Sequence, residues 1–415
     1  MNIDEHRLTW VLVGAIGLCG GAAHAGGPPE YEVTAIIEGF QCGDHLAAIT
    51  VNALNDDGDV AGYTTCNLGQ RAFRWTPETG LELIPMPAQT SESRARAIHG
   101  SKVVGYHVVS GNGFGHIGFV YDFETDEFTS LGTLPGGDWS EAHGINSAGE
   151  IVGFWGNTVM GPSPQAFIWG DGEMIDINGD FGTLKSEAND ITDDRVVTGW
   201  MGTSRLTDAR AFLWDNGKVT ELPPLPDGIT SEGWALNCRG DVAGRGQFFD
   251  PRLNNEVWRA FAFIDGEAIN LGTLPGIERS LAIAINNDQT VVGFAQVPLL
   301  RAFVWKDGLL SDLNDLVSPS FNGEISAARG INQAGQIAAD AHSDDLDATV
   351  GVLLSPLNQG VPGDLDGDGH VGASDLLILL ASWGPCEECG ACAADFDGNG
   401  VVGASDLLIL LSNWG

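Results

Sequence analysis

The phrase AHGINSAGEIVGF at residues 142–154 returns near the end of the chain as ARGINQAGQIAAD at 328–340. Each copy reads as a hairpin: a short β-prone run, an N-x-x-G turn, then a second β-prone run ending on a small residue. The closing glycine recurs at Gly62, Gly105, Gly153, Gly199, Gly244 and Gly293, with Ala339 in the seventh copy, in steps of 43, 48, 46, 45, 49 and 46 residues. The turn is spelled out at Asn55–Gly58, Asn146–Gly149, Asn237–Gly240 and Asn332–Gly335. Asparagine at the first turn position can bond the backbone ahead, and glycine tolerates the left-handed conformation at the last.

A second phrase follows each hairpin: RAFRW at 71–75, IGFVY at 117–121, QAFIW at 165–169, RAFLW at 210–214, RAFAF at 259–263, RAFVW at 301–305 and TVGVL at 349–353. A short turn and a further β-prone run, such as KVTEL or EAINLG, complete the unit. Four short strands in about 46 residues are the size of one propeller blade, and such units leave no room for helices. The seventh unit stops after its third strand, and an orphan strand, YEVTAII at 31–37, precedes the first. Equal numbers of each strand result if that N-terminal strand completes the last blade, which also removes an exposed edge. The fold expected is mainly β: a seven-bladed β-propeller over 26–355, then a linker over 356–362 and a small helical module over 363–415.

In the inner strands the small residues Ala53, Ala97, Gly144, Ala235, Ala284 and Gly330 suit strands converging on a narrow axis. Asp190 breaks that series, and with His143 and Arg329 it is the candidate for the axial mouth. One aspartate does not form the carboxylate pair of a glycosidase, and no G-x-S-x-G, H-E-x-x-H or phosphate loop occurs. Trp75, Trp169, Trp214 and Trp305 recur at equivalent positions and read as blade core. The arginines of the RAF phrases read as partners of carbonyls or acidic groups between blades.

Taken together, LGTLPGG at 131–137, LGTLPG at 271–276 and the GIN-containing hairpins resemble the HAF family of extracellular repeats over about 31–354. The histidine of that family's name-giving triplet is mostly arginine here, at Arg71, Arg210, Arg259 and Arg301. The resemblance implies an extracellular repeat protein and no particular activity.

The C-terminal region holds a tandem duplication, DLDGDGHVGASDLLILLASWG from Asp364 and DFDGNGVVGASDLLILLSNWG from Asp395. Oxygen-bearing residues at every second position, a turn glycine at position 6 and a carboxylate at position 12 are the spacing of an EF-hand calcium loop. The expected ligands are Asp364, Asp366, Asp368, the His370 carbonyl and Asp375 for one ion, and Asp395, Asp397, Asn399, the Val401 carbonyl and Asp406 for the other. Prolines and glycines ahead of each loop exclude an entering helix, so only DLLILLASW and DLLILLSNW are helical. Duplicated loop-plus-helix units closed by aspartate resemble the type I dockerin, which implies a cohesin-like or cell-surface protein partner. The cysteine-bearing insert GPCEECGACAA stands where that family has a plain linker.

Residues 1–25 read as a secretory signal, with an apolar core and Ala23-His24-Ala25 as the cleavage site, which implies an extracellular, cell-surface or periplasmic protein. No other stretch is long and apolar enough for a membrane span. Without the leader, 54 acidic and 18 basic residues remain, a balance that excludes nucleic acid as a partner. Cys42 and Cys66 flank one hairpin and are candidates for a disulfide; among Cys386, Cys389 and Cys392 one local disulfide is expected, and Cys238 has no evident partner. The function these features suggest is a secreted, calcium-binding, non-catalytic recognition scaffold, its propeller presenting a surface to an extracellular glycan or protein and its tail mediating attachment. The alternative is a carbohydrate-active enzyme, a glycoside hydrolase or polysaccharide lyase, carried by the dockerin-like tail.

Overall fold

The computed structural model describes residues 30–42, 45–67, 69–109, 115–158, 163–182, 185–250, 252–357, 363–366, 370–386, 394–396 and 401–415. The leader over 1–25, most of the linker, and Asp368, Cys389, Cys392, Asp397 and Asn399 lie outside them.

Seven four-stranded antiparallel sheets form the propeller. Blade 1 runs through Ala48–Leu54, Val60–Cys66, Gly69–Thr76 and Gly80–Leu83, from the axis outward. Blades 2 to 6 repeat the order, with inner strands Thr90–His99, Trp139–Ile145, Lys185–Ile191, Gly228–Leu236 and Arg279–Ile285. Blade 7 takes only three strands from the end of the ring, starting with Gly323–Ile331. Its outer edge is filled by Tyr31–Ile37, antiparallel to Ala348–Pro356 from Tyr31↔Pro356 to Ile37↔Gly351. Inner strands of successive blades are neighbours all the way round, the seventh against the first.

The repeated letters have separate duties. The phenylalanines of the second phrase, Phe73, Phe119, Phe167, Phe212, Phe261 and Phe303, are fully buried at the heart of each blade. The amide one residue earlier donates to a buried serine on the next blade's inner strand, as in Ala72 N to Ser93 Oγ at 3.0 Å and Ala166 N to Ser186 Oγ at 3.0 Å. The turn asparagine works twice. Asn286 Oδ1 accepts the Thr290 amide of its own turn at 3.0 Å, while its Nδ2 donates to Asn332 O of the next blade at 3.2 Å. Asn332 does the same across the ring closure, donating to Asn55 O at 3.1 Å. Arg71 and Arg210 donate across blades to Ser91 O (2.6 Å) and Ile229 O (2.8 Å), and Arg301 pairs with Glu324 at 3.1 Å. Trp214 and Trp305 are buried, and Trp75 and Trp169 pack on the blade cores.

Two short helices, Asn178–Phe181 and Leu313–Leu316, correct the expectation that the units leave no room for helix. Both sit in connections between blades, where the chain after the fourth strand must reach the next inner strand. Asp312 caps the second by accepting the Asn314 amide at 2.9 Å, and Asn314 then bonds both backbone groups of Ile325. Cys42 and Cys66 are joined by a disulfide, and Cys386 is also disulfide-bonded. No helix among the described residues is long and apolar enough to cross a membrane.

In the tail two nine-residue helices, Ala373–Ala381 and Ala404–Ser412, share a small core of Val371, Leu379, Ala394, Val402 and Leu410. The duplication is a spatial one: Gly384, after the first helix, pairs with Val402 of the second unit, and Gly415, after the second helix, donates to Val371 O of the first at 3.1 Å. The helices are apolar nearly all round, so their outer faces stay exposed, with Leu377 and Leu408 each 68% accessible.

Candidate acid–base site on the propeller axis

Every inner strand slips register against its neighbour at the same point of the repeat, between Ala95 and Ala97 in blade 2, Ala142 and Gly144 in blade 3, and Ala328 and Gly330 in blade 7. The slip is a β-bulge, which re-aims a side chain. Opposite it the strands approach closely: a Cβ on Gly62, Gly153 or Gly199 would overlap the inner-strand carbonyl oxygen of Thr50, Glu141 or Glu187, and blade 7 slips at the same point with Ala339 there. The extra residue of each bulge points to the axis. Asn52, Arg96, His143, Asn189, Trp234, Ile283 and Arg329, one from each blade in turn, line one cavity of about 340 Å³.

This register corrects the expectation for the small residues. They follow the bulge and face the next blade rather than the axis: a Cβ on Gly144 would lie 3.0 Å from Cα of Asp190, and one on Gly330 2.9 Å from Cβ of Leu54. Asp190 shares that position and is not axial. Its carboxylate accepts the Leu236 amide of the next blade at 3.0 Å and its own neighbour Ile191 N at 2.9 Å, and burial pushes its carboxyl up to about 6. His143 and Arg329 do reach the axis.

Two residues before the bulge, blades 3, 4 and 5 carry Glu141, Glu187 and Glu232. Glu141 and Glu187 line the cavity with Arg205, which comes from the loop after the second strand of blade 4. Glu141 Oε1 lies 2.8 Å from His116 Nδ1, and Oε2 lies 3.4 Å from His143 Nε2 and 3.7 Å from Arg96. Burial alone would raise its carboxyl; the hydrogen bonds from His116 and His143 and the charges of His143 and Arg96 outweigh that and hold it well below the usual carboxylate range. Glu187 moves the other way. Burial pushes it up, against the lowering influence of its ion pair with Arg205 and of His143. Glu232 is fully buried and held by Arg245 through contacts of 3.0 to 3.2 Å.

His143 shares the cavity with the two shifted carboxyls. Its Nδ1 faces Asn189 Oδ1 at 3.3 Å and its Nε2 faces Glu141. The Asn189 amide nitrogen donates to Gly233 O at 2.7 Å, which fixes the oxygen toward the imidazole. Both ring nitrogens therefore face side-chain oxygens, which fixes the orientation of the ring. Phe154 packs edge-on against it, centroids 4.8 Å apart. Two acidic groups with oppositely shifted affinities for protons, sharing a cavity with a histidine, are the ingredients of acid–base catalysis.

No family model and no curated protein matches the chain. Among solved structures it is similar to the β-propeller domain of the trilobed protease from Pyrococcus furiosus, at 15% identity and a TM-score of 0.44 over 64% of this chain and 81% of that one. It is also similar to prolyl endopeptidase, at 10% identity and a TM-score of 0.49 over 75% of this chain and 50% of that one. An oligogalacturonate lyase from Vibrio parahaemolyticus aligns at 11% identity and a TM-score of 0.44 over 79% and 98% of the two chains. This chain thus spans half the length of the prolyl endopeptidase and 45% of an acylaminoacyl peptidase from Pyrococcus horikoshii. At such identities the likeness speaks for the propeller fold alone. Most of these neighbours are peptidases, a puromycin-hydrolyzing peptidase of Mycobacterium tuberculosis among them. The shifted carboxylates and the histidine gathered on the axis correct the expectation of a non-catalytic scaffold.

In the tail, carboxylate oxygens of Asp364, Asp366 and Asp375 lie within 4.8 Å of one another. Asp375 is buried, and it accepts the Gly372 and Leu365 amides at 2.7 Å each. Asp406 repeats this with Gly403 at 2.8 Å and Phe396 at 2.7 Å. An all-oxygen cluster of this kind suits a hard cation. His370 and Val401 sit in the same loops, and Asp395 opens the second.

Proposed function

We propose that the axial cavity is the active site of a hydrolase working by general acid–base catalysis. The observation that carries this reading is the opposed pair, Glu141 held ionised and Glu187 pushed toward neutrality, with His143 in the same cavity. A carboxylate whose proton affinity is raised by burial is a stronger base than a free one. Glu187 would take a proton from water as the oxygen adds to the scissile centre. His143 would give a proton to the leaving atom, and Glu141 orients the ring. The proton gained by Glu187 then passes back to His143 through product or solvent, restoring the site. Purified protein assayed against chromogenic amides, esters and glycosides should hydrolyse one of these classes. His143→Ala should lower the rate by about 10²–10⁴, and Asp190→Asn should leave it within a few-fold. Absence of turnover in all three classes, or a larger loss in Asp190→Asn than in His143→Ala, would refute the assignment.

We propose separately that residues 363–415, whose units resemble a dockerin, hold two calcium ions. The described cluster of Asp364, Asp366 and Asp375 supports the first site. Its charge would be four carboxylates against three in the second, so it should bind more tightly. Calorimetry on the full chain should resolve two sites, with Asp364→Ala weakening the stronger one; a single site, or none, would defeat the proposal. The Cys42–Cys66 disulfide supports export to an oxidising compartment as part of the same reading.

A further inference from the structure

The axial cavity is polarised around the ring. Blades 3 and 4 contribute the carboxylates Glu141 and Glu187 to its lining, and blade 6 contributes Ile283. The arc made by blades 7, 1 and 2 offers Arg329, Asn52 and Arg96. The two arginines are not equivalent. Arg329 Nε donates to the buried Asp340 at 2.9 Å, and the guanidinium stacks on Phe294. Asp340 in turn accepts the Val51 amide at 2.8 Å, so this pair stitches blade 7 to blade 1. Arg96 has no such employment. Its nearest acidic oxygen is 3.7 Å away on Glu141, whose two oxygens are already engaged by His116 and His143. Its guanidinium is only one-third exposed and lies over the ring of Tyr106, 5.4 Å from the centroid.

A guanidinium offers five donors and stays charged at any working pH. Keeping one partly buried without a hydrogen-bonded carboxylate is costly unless a ligand supplies the acceptor. The setting sharpens the point, because the chain as a whole carries a net charge of −37 and repels anions. An anionic substrate would need a local cation held against that field; Arg205 is taken up by Glu187, and the other cations of the cavity lie on this arc. Trp234, across the ring on blade 5, adds an aromatic wall.

We infer that the substrate of the axial site carries a carboxylate, which Arg96 receives while the bond to be broken lies toward Glu187 and His143. This rests on the hydrolase reading for the direction of the bond, but the anion preference can be measured without turnover. Hippurate and its neutral amide, N-benzoylglycinamide, share a skeleton and an aromatic ring and differ in the charge. Titration of the full-length protein should show hippurate binding at least about tenfold more tightly than the amide, the worth of a charge-assisted pair. Arg96→Gln should erase that difference and leave the amide's affinity unchanged. Glu187→Gln should keep it, since this residue acts on the bond and not on the anion. Equal binding of the two compounds, no binding of either, or discrimination surviving in a folded Arg96→Gln protein would overturn the inference. Discrimination by a protein that hydrolyses nothing would uphold the anion site and remove the hydrolase.

Discussion

Deletion of residues 31–37 should abolish the single cooperative unfolding transition of the propeller, and Ile37→Ala alone should cost about 2–5 kcal/mol. Ile37 is fully buried against Ile49, Val51 and Ala338, and so bridges the last blade to the first. The strand also pairs along the whole edge of Ala348–Pro356, and Tyr31 O accepts the Ser318 amide at 2.8 Å. Without it, the edge of blade 7 loses its ladder and a row of backbone groups goes unpaired. A ring can open only at such a seam, because every other blade is continuous in sequence. Ile36, one residue away and 41% exposed, provides the control: its replacement by alanine should stay within about 0.5 kcal/mol. Calorimetric melting of the three variants decides the matter. A deletion that melts like the intact chain would show that the ring does not depend on this strand.

That seam was legible in the sequence because counting strand types needs only turn signals and periodicity. The orphan YEVTAII and the truncated seventh unit sit at fixed points of the repeat, and the strand Tyr31–Ile37 coincides with the quoted run. The site was harder to read for a reason of a single residue. A regular strand would put Ala53, Gly144 and Asp190 on the axis if alternation is followed back from the turn. The bulge moves the axial position to Asn52, His143 and Asn189, and turns Asp190 toward the next blade. The bulge is a feature of how two strands pair, a three-dimensional register that no one-dimensional pattern states. A signal was nevertheless present. The words SEAHGI, SEANDI and SEGWAL set a glutamate at the same point of three successive units, 46 and 45 residues apart. Their serines are the latches between blades, so the adjacent glutamates face the opposite way; Glu141 and Glu187 line the axial cavity, and Glu232 is buried against Arg245. Calcium-loop spacing, by contrast, needs no register argument; of the residues it names, Asp364, Asp366 and Asp375 lie together, and Asp368, Asp397 and Asn399 fall outside the described residues.

The pH dependence of the proposed reaction should follow Glu187, and Arg205→Gln should move it in one direction only. As a base, Glu187 works when ionised, so kcat/KM should rise with pH through its titration. Burial places that rise above the ordinary range for a glutamate, while the Arg205 guanidinium, in contact with the carboxylate, favours the charged form and pulls the rise back down. Removing Arg205 leaves the burial and takes away the cation. The acid limb of the profile should therefore shift to higher pH, with the rate at alkaline pH falling much less than the rate near neutrality. Glu187→Gln has no such limb to shift, and its rate should drop by about 10²–10⁴ at every pH. Arg205 is 39% exposed and comes from a loop outside the blade cores, so its loss should spare the fold. If Glu187 were instead the proton donor, loss of Arg205 would extend activity at the alkaline end and leave the acid limb where it was. The two assignments thus differ in which limb moves, and one pair of profiles separates them.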